Sequence, residues 1–185
     1  MFFLRECKLI TLNKTEQHAL ISGSGTTAFT LTADSNTDPD PAFSWASDDT
    51  DVATVASGAV KTLTVGKAVI TASASGYRSA SCDVYSHDLD YDTVDTCTAG
   101  ETYEWTIAYD DGEVDIPQIP IVISDIVAPE GVTATAGAYD AEHGSITISV
   151  AIPAAAVASS EIEISAKATV GANYATAGIT LTVAE

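Results

Sequence analysis

In AFTLTA (28–33), Phe29 and Leu31 fall on one parity and Thr30 and Thr32 on the other. Side chains that alternate in this way have the period of a half-buried strand, because successive residues of an extended chain point to opposite faces. The pattern recurs in PAFSWAS, DVATVAS, AVKTLTV, KAVITASAS and SASCDVY, each bounded by Asp, Asn, Ser, Gly or Pro. It restarts beyond residue 86 in ETYEWTIAYD, QIPIVISDIV, GVTATAGAYD, GSITISVAI, EIEISAKATV and AGITLTVAE. Short strands about 8 to 12 residues apart predict a sandwich or a barrel. The expected fold class is all-β, two consecutive β-sandwiches over 1–86 and 87–185. The Ala-rich IPAAAVASSEI (152–162) is expected to carry one helical turn between strands.

Composition supports this reading. Hydrophobic residues make up 46% of the 185, enough to build a core. Much of that content is Ala and Val beside Thr and Ser, a mixture suited to pleated strands. No run approaches the roughly 18 apolar residues of a membrane helix. At the N-terminus, Arg5, Glu6 and Lys8 interrupt the apolar start MFFL. An export signal needs a longer apolar run behind a basic leader, so the expectation is a chain that stays in the cytoplasm where it is made. Cys7, Cys82 and Cys97 show no C-x-x-C spacing. Spacing leaves a Cys82–Cys97 bond open, while three free thiols fit a reducing compartment.

Charge divides the chain where the strand pattern restarts. Residues 1–86 carry six Lys and Arg against nine Asp and Glu, a balance of −3; residues 87–185 carry Lys167 against seventeen acids, a balance of −16. Such a second half repels phosphate backbones and anionic membranes, which speaks against nucleic acid and membrane partners. It reads as a solvated acidic surface, or as a face for a basic partner or divalent cations.

The stretch FSWASDDTDVATVASGAVKTLTVGKAVITASASGYRSASCDV (43–84) closely resembles a bacterial immunoglobulin-like domain of the group 2 kind. The resemblance rests on Trp45, Ser47, Asp48, Val52, Ala53, Thr54, Val55, Gly58, Gly66, Ala68, Ile70, Thr71, Ala72 and Cys82. The second half resembles immunoglobulin-like sandwiches only generically. The expectation becomes two immunoglobulin-like sandwiches, with Trp45 inward on a central strand among Val52, Val55, Val60, Leu63 and Ile70. The acids at 48–51 then belong to a turn, where Asp side chains bond nearby backbone N–H groups. Cys82, on the parity of Val84, is expected to face the first core.

Candidate chemistry is sparse. Asp88, Asp90, Asp92 and Asp95 in SHDLDYDTVD (86–95) are weak calcium candidates at the junction of the halves. They lack the Gly and terminal Glu of the twelve-residue calcium loop, and a solvated linker is the plainer reading. His18, His87 and His143 are far apart and are expected in loops or on the surface. GSG (23–25) has no following Lys and is read as a turn rather than a phosphate loop. No catalytic constellation and no cofactor are indicated. The resemblance implies a structural role. The expected setting is a virion of a tailed bacteriophage, assembled in the host cytoplasm, with the chain an auxiliary or decoration protein on the capsid exterior. Its partner would be the major capsid protein or another virion protein, docked through the apolar segment Phe2, Phe3 and Leu4, with other surfaces facing solvent or host. A tail or fibre protein, a fragment of a bacterial adhesin and an accessory module of a carbohydrate-active enzyme are the alternatives.

Overall fold

The computed structural model describes residues 7–21, 28–112, 114–171 and 173–184. Phe2, Phe3 and Leu4 lie outside the described residues. The first half contains β1 (Ile10–Leu12), β2 (Glu16–Leu20), β3 (Ala28–Thr30), β4 (Ala33–Ser35), β5 (Ser44–Ser47), β6 (Ala53–Ala56), β7 (Ala59–Thr62), β8 (Gly66–Ser73) and β9 (Ala80–His87). The second contains β10 (Leu89–Tyr91), β11 (Val94–Cys97), β12 (Thr102–Tyr109), β13 (Val122–Val127), β14 (Thr133–Asp140), β15 (Ser145–Ala151), β16 (Glu161–Val170) and β17 (Asn173–Val183).

Strand order shows the architecture. In the first half a sheet β3-β7-β6 packs on a sheet β2-β9-β8-β5, beside a short ribbon of β1 and β4. In the second, β10-β12-β15-β14 packs on β11-β17-β16-β13. These are immunoglobulin-like sandwiches, in which strands A, B, E and D share one sheet and C, F and G the other. Each half also adds an early strand in parallel beside its last one, β2 on β9 and β11 on β17.

Alternation does the sorting of side chains in both halves. Ile162, Ile164, Ala166, Ala168 and Val170 of β16 face inward, as do Ala175, Ala177, Ile179, Leu181 and Val183 of β17. They meet Trp105, Ile107, Ile146, Ile148 and Val150 from the opposite sheet in one cluster. A separate cluster gathers Leu31, Val52, Ala53, Val60, Ala68, Ile70, Cys82 and Val84. Each large aliphatic side chain so buried contributes about 1.5–3 kcal/mol.

The DDTD stretch is scaffold. Asp49 Oδ1 accepts the backbone N–H groups of Asp51 (3.0 Å) and Val52 (3.2 Å), and Asp48 Oδ1 accepts that of Val69 (2.6 Å). The chain then runs into a two-residue hairpin at Ser57 (φ 50°) and Gly58 (φ 86°). Positive φ at both positions matches the right-handed twist of the flanking strands. Gly58 has a second reason to be glycine: a Cβ there would lie 2.3 Å from the Leu31 carbonyl oxygen.

Four expectations need correction. Trp45 is half-buried, because β5 is an edge strand rather than a central one. Leu63 is 42% exposed, since Val60 and Thr62 take the inward parity and leave Lys61 and Leu63 outside. IPAAAVASSEI forms two turns, closed by Ala156 N–H to the Pro153 carbonyl and Ser160 N–H to the Val157 carbonyl, and no helix. Of residues 154–159 only Ala156 packs on the second core while Val157 is exposed, too little apolar burial to hold a helical turn. Finally, 86–95 is not a solvated linker. A single residue, Asp88, separates β9 from β10, and Leu89 and Tyr91 pack against the second core.

Candidate functional site

The densest polar chemistry among the described residues lies where the sandwiches meet. Strand β2 runs parallel to β9 with His18 opposite Tyr85 and Leu20 opposite His87. Alternation fails here: Gln17, His18, Ala19 and Leu20 are all buried, as are Val84, Tyr85, Ser86 and His87. A strand buried on both parities is covered on both faces, and the second cover is the second sandwich. Leu20 belongs to that sandwich's core cluster. The β16–β17 turn comes so close that a Cβ on Gly171 would lie 2.2 Å from the His18 carbonyl oxygen.

Within this joint four side chains form a line. His18 Nε2 lies 3.4 Å from Glu16 Oε1. His18 Nδ1 and His87 Nε2 are 2.8 Å apart, with ring planes within 8° and centroids 5.1 Å apart, the edge-to-edge placement that an N–H···N bond requires. His87 Nδ1 lies 2.9 Å from Asp111 Oδ2. Asp111 also accepts the Gln118 amide (3.3 Å) and the Asp88 backbone N–H (3.3 Å). The Tyr85 ring stacks on His18, and the Tyr109 ring tilts against His87. Behind them Gln17 donates to the His18 carbonyl (2.6 Å) and Thr62 donates to the Leu20 carbonyl (3.1 Å).

Burial sets the electrostatics. His18, 5% exposed, has its pKa held below the ordinary value, chiefly by burial and next by His87; Glu16 and Asp111 oppose this. Burial pushes the Tyr109 hydroxyl well above the usual range. The Cys82 thiol rises to about 11, again mainly through burial.

An Asp–His pair is the orienting half of a catalytic triad, but here the ring's second nitrogen meets another imidazole and no nucleophile. His87 is 0% exposed, and its two ring nitrogens are both engaged inside the protein. The line ties β2 to β9 and to the segment that carries Asp111.

His18 and His87, expected in loops or on the surface, are therefore strand residues of a buried joint, because two sandwiches close over them. His143 is on the surface, bonded to Asp140 (2.7 Å), which lowers that carboxyl's pKa. Two of the four aspartates of 86–95 lie in different sheets, and Asp88 and Asp92 lie outside the strands. Asp90 is on β10, which pairs with β12, and Asp95 is on β11, which pairs with β17. Asp92 lies between, its carbonyl accepting the Trp105 Nε1–H (3.1 Å). Asp95 accepts the Tyr103 hydroxyl (2.7 Å), the main cause of its lowered pKa. Among the described residues no three His, Cys, Asp or Glu side chains are grouped to hold a metal ion. Cys82 and Cys97 are free thiols in separate cores. Sequence reasoning missed Asp111 as well, and no local pattern marks it.

No family model matches the chain. No curated protein matches it either. Among solved structures it is similar to domains 4 and 5 of the S-layer protein SbsC at 14% identity and a TM-score of 0.35, over 96% of this chain and 98% of that one. It is similar to the EC1-2 domains of human protocadherin-24 at 15% identity and a TM-score of 0.33, over 96% and 97%. Endo-fucoidan hydrolase MfFcnA4, from glycoside hydrolase family 107, matches at 10% identity and a TM-score of 0.35, over 95% of this chain and 29% of that one. Likenesses this distant do not choose among functions.

Proposed function

We propose that this chain is a non-catalytic structural protein whose outer surfaces carry its function, and that it serves as an auxiliary protein on the exterior of a tailed-phage capsid. The observation that carries the structural reading is the joint. Among the described residues the densest set of buried polar groups lies between the two sandwiches, which supports reading them as a tied pair of modules. The phage setting draws its support from the group 2 immunoglobulin-like resemblance over 43–84, since such domains occur in phage head, tail and fibre proteins.

Charge supports a division of labour within this reading. A domain crowded among like copies is penalised by a dense negative field within about a Debye length, roughly 8 Å at physiological salt. The half carrying −3 is thus the better docking half, and the half carrying −16 projects outward.

The test is mass spectrometry of purified particles after amine cross-linking. Cross-links to coat protein are expected from Lys14, Lys61 and Lys67 of the first half and not from Lys167 of the second. Cross-links from Lys167 with none from the first half would reverse the orientation. Absence of the chain from every particle would overturn the virion reading.

A further inference from the structure

The line Glu16, His18, His87, Asp111 restricts where protons can sit. A hydrogen bond between two ring nitrogens 2.8 Å apart needs one proton and one lone pair. Two protons there would set N–H against N–H. The Asp111 carboxylate only accepts, so the proton of its 2.9 Å contact sits on His87 Nδ1. With His87 neutral, its Nε2 is a lone pair and His18 Nδ1 donates to it. His18 Nε2 is then a lone pair facing the Glu16 carboxylate at 3.4 Å, the longest contact of the line. This is also its wet end, for the Glu16 side chain is 59% exposed. A proton entering at His18 Nε2 completes that contact and leaves the ring pair intact. The next proton has His87 Nε2 as its place, and that position is already filled by the bond from His18.

The strand that would move is β2. It is an edge strand, held to β9 on one side and packed through His18 and Leu20 against the second sandwich on the other. It straps the joint. We propose that β2 is a proton-released strap: it clamps the two sandwiches while His18 and His87 share one proton, and it lifts away when both rings are cationic.

Glu16 and Asp111 partly offset the cost of one added charge, and the ring-to-ring contact leaves no place for a second. Glu16 and Asp111 are the carboxylates in line with the rings, and each serves one ring at its outer nitrogen. The inter-ring contact is walled by the Tyr85 and Tyr109 rings. Asp83 and Lys67 pair with each other behind Tyr85. Lys14 bonds Gln17, and Tyr139 acts on Tyr109 rather than on a histidine. Asp88 reaches Asp111 through its backbone N–H. The sign follows from the ring-to-ring bond: a clamped state with no place for a second proton is favoured while that proton is absent and loses support as pH falls until it binds. The lowered His18 pKa, set by burial and then by His87, acts in the same direction. The inference is independent of the virion reading, since it concerns the isolated chain.

The experiment is hydrogen exchange of the full chain by NMR, with imidazole nitrogen spectra over the same pH range. Amides of 17–20 are expected to lose protection as the second ring becomes cationic, by about tenfold per pH unit for each linked proton, while amides of β8 and β16 keep theirs. In His18→Asn the side-chain amide can still donate to His87 Nε2, but a pair of cations cannot form, so the acid-induced loss should disappear. The same loss in His18→Asn as in wild type would overturn the proposal. Should that variant fail to fold, the wild-type spectra decide: two cationic rings with β2 still protected would overturn it equally.

Discussion

The two sandwiches share a topology and differ in how deeply they bury it. The first is built from strands of three to eight residues around a cluster of mainly Ala, Val, Leu and Ile. The second has strands of ten and eleven residues in β16 and β17 and a larger cluster centred on Trp105. Apart from Asp111 and half-buried Asp88 its described acids are exposed, so the half with the greater self-repulsion also has the greater apolar burial to offset it. The tryptophans show the same contrast. Trp105 sits on β12, between β10 and β15, and is 0% exposed; Trp45 sits on the edge strand β5 and is only half-buried. An aromatic residue is buried by its neighbours on both sides, and an edge strand has one.

The largest test of that contrast is a pair of truncations. Trp105→Ala should cost about 3–5 kcal/mol, in the range of buried aromatic deletions. Trp45→Ala should cost about 1–2 kcal/mol, because less of its area leaves water. Urea unfolding followed by far-ultraviolet circular dichroism measures both, and equal losses would show that edge position does not govern burial here.

A smaller effect sharpens the picture of the first sandwich. Gly58 and Gly76 have nearly the same positive φ, 86° and 82°, but a Cβ at Gly58 meets the Leu31 carbonyl whereas one at Gly76 meets nothing within 4 Å. Gly76→Ala should cost about 1 kcal/mol for the left-handed backbone alone. Gly58→Ala should cost about 3 kcal/mol, since backbone strain is joined by collision. Thermal midpoints that fall equally would mean that the hairpin moves aside without cost.

The smallest expected change leaves stability untouched. In denatured, unreduced protein all three thiols should react with a thiol reagent. In native protein exposed Cys7 should react first, with Cys82 and Cys97 at least about a hundredfold slower at pH 8, because each is buried and has a raised pKa. A denatured count of one would reveal a Cys82–Cys97 bond and join the two cores.

Sequence by itself determined the alternating strands β3, β5 to β9 and β12 to β17, but not β1, β2, β4, β10 or β11, because a period of two and the turn residues that interrupt it act over a few neighbours. Phe29 and Leu31, the Asp48 and Asp49 turn bonds, and Cys82 beside Val84 could all be read locally. What the local pattern states is which side chains share a face, not what covers that face. For this reason Trp45 was legible as inward but not as belonging to an edge, and Leu63 depended on the parity that Val60 and Thr62 set. The joint was beyond local reading altogether. His18 and His87 are 69 residues apart in sequence, and Asp111 is 24 beyond His87. Only parallel pairing of β2 with β9, and closure of the second sandwich over both, brings them into one line. Tertiary structure decided their burial, and burial in a low-dielectric joint turned three residues of ordinarily exposed types into a shared-proton clamp.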